Sequence, residues 1–169
     1  MSKYKEKYRV ESTRLQTWDY RNCGYYYITI LTKNRTHYFG KVVNDSVILS
    51  KAGQVTEEEL IKTGTIRDNV QIDEFIIMPN HIHFILVINK KNKPVATSGK
   101  TIQSNSLGSI IGQYKSAASK RLHLMNYVDF GWHPRFYEHI VRNEKSLSNI
   151  RKYIRLNPLK WELDEYYRK

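Results

Sequence analysis

In the stretch MPNHIHFILV, His81 and His83 stand one residue apart at the head of an apolar run. On a strand, residues i and i+2 share a face and lie roughly 6–7 Å apart. Two imidazoles at that spacing can hold one cation between them. They can equally be strand-end histidines bonded to carbonyls or water, and spacing leaves both readings open. Ile82, Phe84, Leu86 and Ile88 take the opposite face, while Ile85 and Val87 continue the histidine face. A strand apolar on both sides is expected in the middle of a sheet.

A second chemical grouping lies in SLSNIRKYIRLNPLKW. On a helical wheel Leu147, Ile150 and Ile154 form an apolar stripe that must face the rest of the protein. Tyr153 falls at the margin of that stripe and Asn157 one turn further along the same side. Arg151, Lys152 and Arg155 flank them. A phenol beside an amide suits a nucleophile next to a metal ligand. Pro158 pushes the residue before it away from helical geometry, so Asn157 is expected at or just past the helix end.

The elements that would carry these groups read as strand pairs alternating with helices. Residues 25–32 and 36–43 are β-rich around a Lys-Asn-Arg turn and predict a hairpin, with a short return strand at 47–49. Thr56 followed by three glutamates predicts a helix start, ending near Gly64. Strands are predicted over 70–78 and 82–88, joined by Pro79-Asn80, and a basic helix over 106–123. A further strand is expected within 132–141 and a helix over 144–157. Residues 1–20 read as a charged leader and 89–105 as a polar, basic, mobile connection inside one domain spanning 1–169. The pattern predicts an α+β fold, helices packed on an antiparallel sheet.

Bulk composition narrows the partners. Lysine and arginine number 28 against 16 acids, a net charge of +12, and such an excess favours polyanions, nucleic acid ahead of membrane. Cys23 is the only cysteine, which excludes an intrachain disulfide and a cysteine-based metal site. No apolar stretch approaches a membrane span and the first residues lack a signal-peptide core, so a cytoplasmic protein is expected.

Taken together, MPNHIH and WHPRFYEHIVRNEKSLSNIRKYIRLNPLKW resemble the single-tyrosine HUH transposases, and within them the REP-associated tyrosine transposases. The resemblance spans roughly residues 20–162. It implies a ferredoxin-like sheet with the histidine motif on a central strand. It places His81 and His83 as ligands of Mg2+ or Mn2+, Asn157 as the third ligand, and Tyr153 as the nucleophile on a tyrosine helix. The implied activity is nicking and rejoining of single-stranded, hairpin-bearing DNA through a 5′-phosphotyrosine, as a monomer or a homodimer. Tyr114, on the basic helix, matches a structural or DNA-facing position better than the nucleophile's. His139 falls within the motif as an active-site helper or a structural histidine. Lys115, Lys120, Arg121, Arg135, Arg142, Arg151, Lys152 and Arg155 are candidates for DNA backbone contacts, with Trp18 and Trp132 as candidates for base stacking. Two other readings stay open: a non-catalytic nucleic-acid-binding domain, and a small metal hydrolase in which water attacks.

Overall fold

The computed structural model describes residues 17–89 and 106–167, with the backbone of two paired two-residue strands, β1 (Lys3–Tyr4) and β2 (Lys7–Tyr8). Most of the expected leader and of the connection at 89–105 lies outside the described residues. The main sheet has four antiparallel strands in the order β6 (Val70–Ile77), β7 (His81–Ile88), β3 (Gly24–Leu31), β8 (Tyr137–Val141). Between them run α1 (Lys51–Thr65) and α2 (Leu107–Leu124), giving the βαββαβ order of a ferredoxin-like fold; α3 (Glu144–Leu156) follows β8.

β7 occupies the interior position its sequence predicts, and all eight of its residues are buried. Ile82, Phe84, Leu86 and Ile88 pack with Ile28, Ile30 and the apolar sides of α1 and α2. Ile85 and Val87 pack on the other face with Val141 and with Leu147 and Ile154 of α3. Because pairing in register preserves the face, Thr29 opposite His83 and Leu31 opposite His81 fix which residues of β3 can reach the histidines.

Three local expectations are corrected. The strand at 36–43 does not pair with β3, whose two edges are taken by β7 and β8. Asn34 and Arg35, with φ of 58° and 57°, end β3 in a turn that leaves the sheet. β4 (Gly40–Val43) pairs instead with β5 (Ser46–Leu49), across Asn44 and Asp45, both at positive φ as a tight hairpin turn requires. Helix α1 begins earlier than Thr56, because Ser50 caps it by accepting from the Gly53 N–H at 3.1 Å. Glu58 and Glu59 thus sit mid-helix, where they accept from Arg121 of α2. Finally, only 137–141 of the expected 132–141 strand is regular, with Trp132 making a single bridge to Thr32 and Pro134 interrupting between them.

Candidate metal and tyrosine site

His81 and His83 point to the α3 side of the sheet and are almost completely buried. Their ring centroids are 4.6 Å apart. Each ring uses Nδ1 and leaves Nε2 without a partner. His81 Nδ1 lies 2.8 Å from Asn80 Oδ1, and His83 Nδ1 lies 2.8 Å from the Tyr27 hydroxyl and 2.9 Å from that of Thr29. Both Nε2 atoms are buried with no hydrogen-bond partner, as is Asn157 Oδ1. A buried polar atom left unpaired costs about 1–3 kcal/mol, so three of them on one face call for an explanation.

The helix bearing Tyr153 docks over this face. Asn143 caps it, accepting from the Ser146 N–H at 2.8 Å, and its Leu147–Ile154 stripe fixes the rotation. Arg151 donates to Asp73 at 2.8 and 3.2 Å, and Arg155 lies 3.4 Å from Glu74. Both acids sit where the β6 register shifts between Ile72 and Phe75, a bulge that re-aims side chains. The Tyr153 ring stands edge-on to His83 with centroids 5.4 Å apart, and to Tyr27 at 6.3 Å. Tyr153 remains 43% exposed, so part of its side chain faces solvent.

Past α3 the chain turns through a 3-10 helix, Asn157–Leu163, and comes back over the histidines. Asn157 keeps helical dihedrals (φ −58°, ψ −41°) despite the proline behind it, and is buried. The returning segment places Asp164 Oδ2 3.9 Å from His81 Nε2. One ligand atom from each of His81, His83 and Asp164 falls within 4.8 Å of the others. Asp164 accepts from the Tyr166 N–H at 2.7 Å and from Asn157 Nδ2 at 3.4 Å. Tyr166 and Trp161 wall the His81 ring, at centroid distances of 5.0 and 6.0 Å.

Burial dominates the titration of the site. It pushes His83 down to about 3, and holds His81 well below the ordinary imidazole value with the neighbouring His83 adding to the effect. Both rings are therefore neutral near pH 7 and keep a lone pair. Burial also raises the Asp164 carboxyl, offset in part by the Tyr166 N–H and Asn157. The Tyr153 phenol is raised by burial and by the charge of Asp164, with Asn157 offsetting in part. Two neutral imidazoles and a carboxylate make a donor set that fits a divalent ion.

The remaining sequence candidates are distributed as follows. Lys115 Nζ donates to the His133 carbonyl at 2.7 Å, and Arg121 to Glu58 and Glu59. Lys120, Arg135, Arg142 and Lys152 are exposed. His139 is exposed on edge strand β8 opposite Tyr27, outside the histidine cluster. Tyr114 is buried on the other side of the sheet, its hydroxyl donating to the Thr56 carbonyl at 3.3 Å. Trp18 and Trp132 are partly buried, their Nε1 atoms donating to Tyr26 Oη and the Lys115 carbonyl. Asp164, Tyr27, Thr29 and Asn80 are parts of the site that sequence reasoning missed. Asn80 had a signal, immediate adjacency to His81; Asp164 had none, because the turn that returns it has no spacing rule.

Among the described residues, no helix is long and apolar enough to cross a membrane. Residues 20–157 match the family model described as transposase IS200 like. An uncharacterized protein of Haemophilus influenzae is 34% identical over 165 residues, covering 92% of each chain. A REP-associated tyrosine transposase of Escherichia coli is 25% identical over 137 residues, covering 81% of this chain and 67% of its own. The solved structure of a REP-associated tyrosine transposase bound to a REP hairpin superposes with a TM-score of 0.61 at 20% identity, over 89% of this chain and 74% of that one.

Proposed function

The chain belongs to the IS200-like transposase family, with distant homology to the REP-associated tyrosine transposases, and from that premise we propose that it nicks and rejoins single-stranded DNA through Tyr153. The observation that carries this reading is the docking of an accessible tyrosine over two buried imidazoles whose Nε2 atoms have no partner. Phosphoryl transfer needs an oxygen nucleophile, relief of phosphate charge and a stabilised leaving oxygen. In the reaction proposed, Tyr153 Oη bonds to the scissile phosphorus as the bond to the 3′ oxygen breaks. The phenol loses its proton, the departing 3′-hydroxyl gains one, and the 5′ phosphate stays on the tyrosine. Attack by a 3′-hydroxyl reverses the step, one phosphodiester-type bond replacing another, so no nucleotide cofactor is needed.

His81 and His83, with Asp164 and Asn157, would hold a divalent ion, Mg2+ or Mn2+, the two nitrogen donors leaning toward Mn2+. When bound, such an ion supplies Lewis-acid charge relief at the phosphate. The edge-on contacts of Tyr153 with His83 and Tyr27 hold its ring beside the histidines, and the phenol lies close enough to Asp164 and Asn157 for both to shift its titration. Lys120, Arg135, Arg142 and Lys152 are proposed as phosphate contacts that steer the strand; Lys115, Arg121, Arg151 and Arg155 would meet DNA only by sharing or exchanging their present partners. The relative bound to a REP hairpin supports a hairpin-bearing strand as substrate, and such a substrate puts the work in the bacterial cytoplasm. A homodimer remains compatible with this chemistry.

The test is a cleavage assay on hairpin-bearing single-stranded oligonucleotides with Mn2+. Wild type is expected to nick, and Tyr153→Phe to bind the same strands without nicking. Cleavage by Tyr153→Phe would mean that water attacks and the protein is a metal hydrolase. Binding without cleavage across a broad panel would mean a non-catalytic binding domain.

A further inference from the structure

Asn80, directly before His81, is fully buried and uses every polar atom of its carboxamide. Its Nδ2 donates to the Arg35 carbonyl at 3.2 Å and to the Tyr166 carbonyl at 2.8 Å, while Oδ1 lies 2.8 Å from His81 Nδ1. The two carbonyls can only accept, so the amide nitrogen must face them; the reversed amide would set Oδ1 against two carbonyl oxygens. Oδ1 is thereby fixed as an acceptor, and His81 Nδ1 must carry the hydrogen. In a neutral imidazole the other nitrogen is then bare. That nitrogen, Nε2, has no partner and faces Asp164 Oδ2 across 3.9 Å. Two acceptors facing each other with no hydrogen between them is an arrangement that a cation resolves.

We infer that Asn80 is a positioning residue: it sets the tautomer of His81 and, through the Tyr166 carbonyl, makes that tautomer depend on the seating of the C-terminal segment. The same segment is clamped by Arg35, whose guanidinium donates to the Glu165 carbonyl at 3.2 Å and lies over the Tyr166 ring, 5.7 Å from its centroid. His83 is held differently. Its Nδ1 meets two hydroxyls, each able to donate or accept, so nothing forces its tautomer. His81 is preset while His83 adapts, and the segment carrying Asp164 is tied to the preset one. The consequence for metal affinity rests on the metal reading above; the tautomer is a property of the metal-free protein.

Long-range 1H–15N spectra of the metal-free, 15N-histidine-labelled protein near neutral pH test the assignment directly. The wild type is expected to show His81 protonated at Nδ1; a hydrogen on Nε2 would overturn it without any variant. In Asn80→Ala the preference should be lost and Mn2+ binding, followed by electron paramagnetic resonance, should weaken about 10–100-fold. A folded Asn80→Ala protein with wild-type tautomer and Mn2+ affinity would refute the inference. The expected tautomer without Mn2+ binding by the wild type would support Asn80's role and count against the metal reading alone.

Discussion

Occupying the histidine site with a divalent ion should stabilise the fold by an amount large enough to separate it from nonspecific salt effects. The metal-free site holds three buried polar atoms without partners, His81 Nε2, His83 Nε2 and Asn157 Oδ1. At about 1–3 kcal/mol each, they carry roughly 3–9 kcal/mol of uncompensated desolvation. A ligand that pairs them in the folded state alone stabilises that state by about 2.7 kcal/mol at one hundred times its Kd. In a chain of 169 residues, 1 kcal/mol moves the midpoint by about 2–4 °C, so thermal melts should rise by roughly 5–11 °C. The assay is a melt monitored by circular dichroism with chelator, with Mn2+ and with Mg2+ at constant ionic strength. His81→Ala/His83→Ala should abolish the shift, and Asp164→Asn should reduce it by removing the anionic donor. An equal shift in the double histidine variant, or none in wild type with either ion in the millimolar range, would show that the histidines do not hold the ion.

Three further outcomes follow from the same geometry. His83 is held at about 3 by burial against an unfolded value near 6.5, so below that unfolded value the unfolded chain takes up a proton that the folded chain refuses. The metal-free protein should hold its full stability above about pH 6.5 and lose about 2 kcal/mol from His83 alone by pH 5, with His81 adding in the same direction; urea midpoints that are flat over this range would contradict this. Arg151→Ala removes a partly exposed pair with Asp73 worth at most about 1 kcal/mol, yet it should slow nicking more than it lowers the urea midpoint, because that pair helps fix the tyrosine helix on β6; an unchanged single-turnover rate would be the contrary result. Gly40 has φ of 144° and an added Cβ would collide with the Ile48 carbonyl oxygen, so Gly40→Ala should destabilise by more than about 1 kcal/mol in chemical denaturation, and a neutral effect would show that the β4–β5 hairpin is free to shift.

The parts of the molecule governed by local periodicity were legible in the sequence. Eight consecutive buried residues in β7 follow from apolar side chains on both faces, and the Leu147–Ile154 stripe puts Tyr153 where the helix meets the sheet. What depended on distant partners was not legible. Pairing of β3 with β7 and β8 rather than with the next strand is decided by segments fifty or more residues away in sequence. Glu57, Glu58 and Glu59 resemble a helix start, but the last two answer Arg121 from another helix. Asp164 reaches His81 because Asn157–Leu163 turns the chain back and Trp161 packs against the His81 ring, and neither effect has a sequence period. The unpaired Nε2 atoms, the strongest sign of a metal site, exist only in three dimensions.

If Tyr153 is the nucleophile, the DNA must become bonded to its phenolic oxygen, and locating that covalent bond tests the proposal. Hairpin-bearing single-stranded DNA incubated with protein and Mn2+ is denatured, digested with nuclease and protease, and read by tandem mass spectrometry. A 5′-linked nucleotide is expected on the phenolic oxygen of Tyr153, and none in the His81→Ala protein. A nucleotide found on any other of the 13 tyrosines, or cleaved DNA with no protein-linked nucleotide at all, would contradict it.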